Sequence, residues 1–190
     1  MQKVLISLGI VVGSVLGLSS CSLISVTPAS MDGMMMEHGN SKYSSSDLMF
    51  AQMMVPHHQQ AVTIGELAQT RAENPQVRDI ASRIRSEQSP EIDQMKTWLA
   101  ESGVSENDPM NMPMEGMLTD EELAHLKSIS GHAFDVLYLQ DMIKHHQGAI
   151  AMVSMIRNSK NPEVKTLGES IVSSQTVEIS ELQKMLSELE

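Results

Sequence analysis

Apolar residues recur at helical spacing through most of the chain after residue 46. In the stretch 47–71, Phe50, Met54, His57, Ala61, Ile64 and Ala68 fall at alternating steps of four and three, one face of a helix. Pro56 lies inside this stretch and predicts a kink or irregular turn just before the histidines. Asn74-Pro75 opens a second helix, because proline suits the first helical turn. Its stripe is Val77, Ile80, Ile84, Gln88, Glu91, Ile92, Met95 and Leu99. A third helix is expected from about Ala133 to Asn158, with Asp135, Tyr138, Met142, His145, Ala149, Met152 and Ile156 on one face and Gly131 as the break before it. Asn161-Pro162 then repeats the Asn-Pro start, with a stripe of Val164, Leu167, Ile171, Gln175, Glu178, Ile179, Leu182 and Leu186. Between the pairs, residues 102–118 read as a linker rich in Gly, Pro, Asn and Met. Thr119-Asp120-Glu121-Glu122 reads as a capping box that opens a short helix.

The two helix pairs are copies of one another. His57-His58-Gln59 and His145-His146-Gln147 lie 88 residues apart, and their flanks align without a gap. Asp47 matches Asp135, Phe50 matches Tyr138, Gln52 matches Gln140, Met54 matches Met142 and Ala61 matches Ala149. In the second helix of each pair the offset is 87, so that Gln88 matches Gln175 and Glu91 matches Glu178. One helical hairpin cannot bury its apolar stripe, but two can cover each other. The expected fold is all-α, a four-helix bundle of two repeated helical hairpins over residues 47–190, repeat one at 47–101 and repeat two at 119–190.

The residues ahead of the bundle have a different character. Lys3 precedes an uncharged apolar run from Val4 to Leu18, and Leu18-Ser19-Ser20-Cys21 resembles the lipobox of bacterial lipoproteins. Residues 1–20 are therefore expected to be a signal peptide and Cys21 a lipidated N-terminus, with an ordinary secretory leader as the alternative. Residues 21–46, rich in Ser and Met, are expected to tether the bundle to the lipid. This places the protein in the cell envelope, held to the membrane by a lipid anchor only, since no second apolar run is long enough to span. A net charge of −11 argues against nucleic acid as a partner and for a cation. Cys21 is the only cysteine, so neither an internal disulfide nor a thiolate-rich metal site can form.

The chemistry concentrates at the doublets. Met54 is one turn before His57 and His58, and Met142 stands in the same relation to His145 and His146. Met53 adds a further thioether in copy one, where copy two has Asp141. Imidazole suits several transition metals, and thioether favours Cu(I), with silver as a substitute; zinc seldom uses methionine, and calcium and magnesium want oxygen. An imidazole must be neutral to ligate, so a histidine site is expected to weaken below about pH 6. Met152 and Met155 read as core filling. Gln88, Glu91, Gln175 and Glu178 interrupt apolar stripes and need partners. Glu91 and Glu178 either accept Nδ1–H bonds from the histidines and orient them, or fix helix register. Met34, Met35, Met36 and His38 in the tether, and Met110, Met112, Met114 and Met117 in the linker, read as weak copper capture or as plain linker. His125 and His132 read as surface residues, with closure of a further site as the alternative for His132.

At Met-Val-Pro-His-His-Gln (54–59) and Met-Ile-Lys-His-His-Gln-Gly-Ala-Ile (142–150), the chain resembles the CopM-like family of secreted bacterial proteins, over about residues 45 to 190. Lys144 departs from the proline this family often carries before the second doublet; copy one keeps Pro56. The resemblance implies a ferritin-like four-helix bundle and extracytoplasmic copper binding linked to copper tolerance. It carries over to Met54, His57, His58, Met142, His145 and His146. The expected function is a copper-binding protein, not an enzyme, that sequesters Cu(I) or Cu(II) or transfers it to envelope copper-handling proteins. A ferritin-like di-metal oxidase is the alternative, but it wants a Glu-x-x-His motif on each of two helices. This chain has only Glu122-Leu123-Ala124-His125, outside the repeat. A metal-free interaction module, with the histidines as hydrogen-bonding core residues, is the third reading.

Overall fold

The computed structural model describes residues 42–106 and 114–189. The leader, Cys21, Met34, Met35, Met36 and His38 of the tether, and Met110 and Met112 of the linker lie outside the described residues. Five α-helices follow in order, with no strand among the described residues: α1 (Ser45–Arg71), α2 (Pro75–Glu101), α3 (Asp120–Ser128), α4 (His132–Val153) and α5 (Pro162–Leu189). A 3-10 turn, Ser154–Ile156, closes α4. Helix α1 lies along α2 and α4 along α5, and the two hairpins meet mainly through α1 against α4. No helix of the described residues is long and apolar enough to cross a membrane.

Local chemistry sets most helix ends. The Ser44 hydroxyl accepts from the Asp47 amide at 3.2 Å, and the Asp47 carboxylate accepts from the Ser44 amide at 2.8 Å. Thr119 and Glu122 form the same box at α3, as the sequence predicts. Asn74 caps α2 ahead of Pro75. Gly131, at φ 69°, separates α3 from α4, and its amide donates to the Arg71 carbonyl at 2.7 Å.

Three details depart from the pattern. Helix α1 runs through Pro56 without interruption, so the expected irregular turn does not divide it. Helix α4 stops at Val153, short of Asn158; there Gly168 of α5 brings the helices so close that a Cβ would lie 3.0 Å from Ile156 and 3.1 Å from Val153. The folded unit also begins inside the expected tether. Tyr43 is buried, its ring centroid lies 5.6 Å from that of Trp98, and its hydroxyl donates to Glu101 at 3.0 Å.

The core has two parts. One gathers Phe50 and Met54 of α1, Ile92, Met95 and Leu99 of α2, Ala149 and Met152 of α4, and Val164, Leu167 and Ile171 of α5. The other gathers Ala61 and Ile64 of α1, Val77, Ile80 and Ile84 of α2, Phe134, Tyr138 and Met142 of α4, and Leu182 of α5. Residues before the first doublet thus share a half with residues after the second, so α1 and α4 run antiparallel. What separates the two apolar halves is one polar layer across the middle of the bundle: both doublets, Gln88, Glu91, Gln175 and Glu178.

Candidate metal centre

All four doublet imidazoles are fully buried in that layer. Adjacent helical residues point about 100° apart, so each doublet faces two ways. His57 and His145 face the seam between α1 and α4, where their ring centroids are 3.8 Å apart. His58 and His146 turn toward the second helix of their own hairpin. There Glu91 lies 2.9 Å from His58 Nε2, and Glu178 lies 2.7 Å from His146 Nε2. A contact at Nδ1 is expected from the sequence, but it lies at Nε2, because the rings reach across to α2 and α5 with their far nitrogen.

That difference has chemical consequences. A carboxylate only accepts, so in a neutral ring the Nε2 of His58 and of His146 carries the proton and Nδ1 holds a lone pair. His57 has the same tautomer for another reason: its Nε2–H donates to the Glu115 carbonyl at 3.3 Å. The Nδ1 atoms of His57, His58 and His146 are buried without a hydrogen-bond partner, and neither nitrogen of His145 makes a well-formed bond. Gln88 (both amide atoms), Gln175 Oε1, Glu178 Oε1 and the Tyr138 hydroxyl are likewise unmatched. Buried polar atoms are nearly always satisfied, so their concentration in one layer marks a place built for something other than packing.

Burial holds the seam rings neutral. Desolvation, reinforced by the neighbouring histidines, lowers the pKa of His57 to about 3, against the bond to Glu115. The same causes put His145 well below the ordinary range, with the His57 backbone opposing them weakly. In the metal-free fold this pair therefore keeps the neutral, ligating form below the ordinary imidazole range. Burial also pushes the Tyr138 phenol up.

The donors present are borderline imidazole nitrogens and soft thioethers, a set that fits copper or silver. Met54 and Met142 are fully buried, in opposite halves of the core on either side of the layer. Among the described residues no three His, Cys, Asp or Glu side chains converge as a ready ligand cage. Rings 3.8 Å apart leave no room for an ion between their faces, so binding requires the pair to part or turn. Met53 packs in the first half of the core, while its counterpart Asp141 lines a cavity of about 320 Å³ with Glu122, Lys144 and Gln147. Burial pushes the Asp141 carboxyl up, opposed by Lys144 at 3.8 Å. His125 and His132 are exposed.

One element of the site has no helical period to reveal it. Residues 114–118 lie as a strap along α1 and α4. Gln60 clamps it with both amide atoms: Nε2 donates to the Leu118 carbonyl at 2.9 Å, and Oε1 accepts from the Leu118 amide at 2.7 Å. A Cβ at Gly148 would overlap the Glu115 carbonyl oxygen, and one at Gly116, where φ is 83°, would overlap the Lys144 carbonyl oxygen. Gln60 and Gly148 are equivalent positions at the 88-residue offset. Glycine inside a helix costs about 1 kcal/mol, and its presence where copy one has glutamine is the available sequence signal that the backbone of another segment comes close.

The fold and this layer define a class: helical bundles made of two repeated hairpins, with imidazoles and carboxylates packed across an otherwise apolar core. The family described as a domain of unknown function, DUF305, matches residues 47–186, and the chain belongs to it. Similar solved structures include a DUF305 protein of Streptomyces coelicolor described as secreted, at 32% identity and TM-score 0.72, covering 76% of this chain and 94% of that one. A DUF305 fragment from Deinococcus radiodurans aligns at 30% identity and TM-score 0.71, covering 77% and 98%. CopM in its Cu(I)-bound form aligns at 32% identity and TM-score 0.62, covering 75% and 96%; Cu(II)-bound and silver-bound forms of CopM align similarly. No curated protein matches the chain.

Proposed function

We propose that this protein binds copper in the cell envelope and sequesters it or passes it on, with silver as a substitute. The observation that carries the reading is the set of unpartnered, buried imidazole nitrogens on four histidines at the centre of the bundle. The likeness to CopM, solved with Cu(I), Cu(II) and silver, supports the choice of metal. His57 and His145 would hold the ion at the seam, with Met54 and Met142 as thioether donors and His58 and His146 beside them. Glu91 and Glu178 would fix the tautomers of the outer rings, and copper is cargo in this reading, with no turnover. The apolar leader and the likeness to a protein described as secreted support export, and Cys21 supports a lipid anchor. The oxidase reading gains nothing from α3: Glu122 is engaged in the cap of Thr119, and His125 is exposed.

The test is a titration of the exported protein with Cu(I), Cu(II), Zn(II) and Fe(II), repeated on a His57→Leu, His145→Leu double variant. Leucine keeps the seam packed while removing both donors. Copper affinity should fall by more than about a hundredfold, beyond what loss of an outer partner costs, with thermal stability retained. Unchanged copper affinity would sink the reading, and iron uptake with oxygen consumption would favour the oxidase.

A further inference from the structure

The strap gives the first doublet something the second lacks, and Gln60 holds it there. Resting on the copper-binding reading, we propose that Gln60 is a positioning residue: by clamping Leu118 it keeps the Glu115 carbonyl on His57, which presents the His57 Nδ1 lone pair to the metal and closes the α1–α4 seam over the bound ion.

Four independent contacts carry this. The Gln60 amide matches both backbone groups of Leu118, at 2.9 and 2.7 Å, which is the pairing one peptide group gives another. Leu118 and Leu126 are buried in the same apolar cluster, so the downstream end of the strap is anchored independently of the histidines. Gly148 and Gly116 remove the two side chains that would keep the strap off α4. The Glu115 carbonyl is the sole well-formed hydrogen-bond partner of the His57 ring among the described residues, and a carbonyl accepts only. The chain thus chooses the His57 tautomer from outside the helices. At the equivalent place in copy two, the His145 ring has only a weak contact with the His57 backbone and no well-formed bond to fix its tautomer. The seam is closed on this side by a segment held through two neutral hydrogen bonds and close packing. That is enough to slow its opening by roughly tenfold to a hundredfold while leaving it able to open.

Two variants free the strap by unrelated means. Gln60→Leu removes both hydrogen bonds, and Gly148→Ala pushes the Glu115 carbonyl away. Gln59→Leu, at the exposed neighbour, is the control. Three quantities are read: amide exchange at Leu118 and the ring nitrogen shifts of His57, both on ¹⁵N-labelled metal-free protein, and the rate at which loaded protein gives up Cu(I) to a colorimetric chelator. Expected in both variants are faster exchange at Leu118, loss of the fixed Nε2–H tautomer at His57, and Cu(I) release faster by about tenfold, the effect of two weakened neutral bonds. Freed strap with unchanged His57 shifts and unchanged release would overturn the proposal. A parent protein that takes up no Cu(I) would defeat the proposed function instead, and the metal-free shifts would still decide whether Gln60 sets the tautomer.

Discussion

His58 and His146 occupy equivalent places in the two hairpins and face equivalent carboxylates, yet the two places are not equally sealed. The Glu178 side chain is 5% exposed and that of Glu91 is 15%. Tyr138 stands where copy one has Phe50, and the Glu178 charge adds to burial in raising its phenol. The seam is asymmetric too, with the strap carbonyl on His57 and no well-formed bond on His145. One motif, duplicated, has therefore become two environments. The difference lies in how much water reaches each carboxylate and in which segment crosses each ring.

The largest expected effect tests what the halves share. The pKa of His57 is lowered in the fold to about 3 and that of His145 is also lowered, while both return to about 6.5 on unfolding. The unfolded chain then binds protons that the folded one refuses. The stability this contributes is full above about pH 6.5 and is lost as pH falls below it, for His57 down to about 3. Urea unfolding of the metal-free protein between pH 7 and 4 reads this slope. His57→Leu and His145→Leu should each reduce it, and an unchanged slope in both variants would show that these rings do not take up protons on unfolding.

A second comparison sets Glu178→Ala against Glu91→Ala. Each strands an imidazole N–H, which costs about 1–3 kcal/mol when water cannot reach it. The cost should be nearer the upper figure at Glu178 and smaller at Glu91, with copper affinity falling about 10- to 100-fold in either variant. Equal stability losses in urea would mean that the difference in exposure does not matter.

The smallest effect separates Asp135 from Asp47. Both stand at the same repeat position, but Asp47 closes the capping box of its own helix, whereas Asp135 accepts from the Glu73 and Asn74 amides at 3.2 and 2.8 Å and so ties the α1–α2 turn to α4. Asp135→Ala should cost about 1–2 kcal/mol and Asp47→Ala about 0.5–1 kcal/mol. Thermal unfolding that ranked them the other way would mean that the tie between hairpins contributes less than the local cap.

Much of the fold is legible because helices announce themselves locally. Periodicity, the Asn-Pro starts and the 88-residue repeat place every long helix within a few residues of where it stands, and the Thr119 capping box places α3. The pattern misjudges Pro56, which a long, heavily packed helix tolerates, and the end of α4, where Gly168 of α5 packs close to Val153 and Ile156. It also misplaces the start of the folded unit, because the burial of Tyr43 depends on Trp98 of α2.

By itself the sequence determined the two hairpins and the polar layer. An interrupted apolar stripe is a property of one helix, and of the polar residues that interrupt the stripes Glu91 and Glu178 meet the outer histidines once the four stripes close on one another. Only the tertiary structure decided which ring nitrogen is bare, that His57 and His145 stay neutral far below pH 6, and that the linker lies over the seam. Tautomer and pKa follow from partners and burial supplied by other helices. A segment without a repeat period carries no local code for its position, which here is set by Gln60 on one helix and a missing side chain at Gly148 on another.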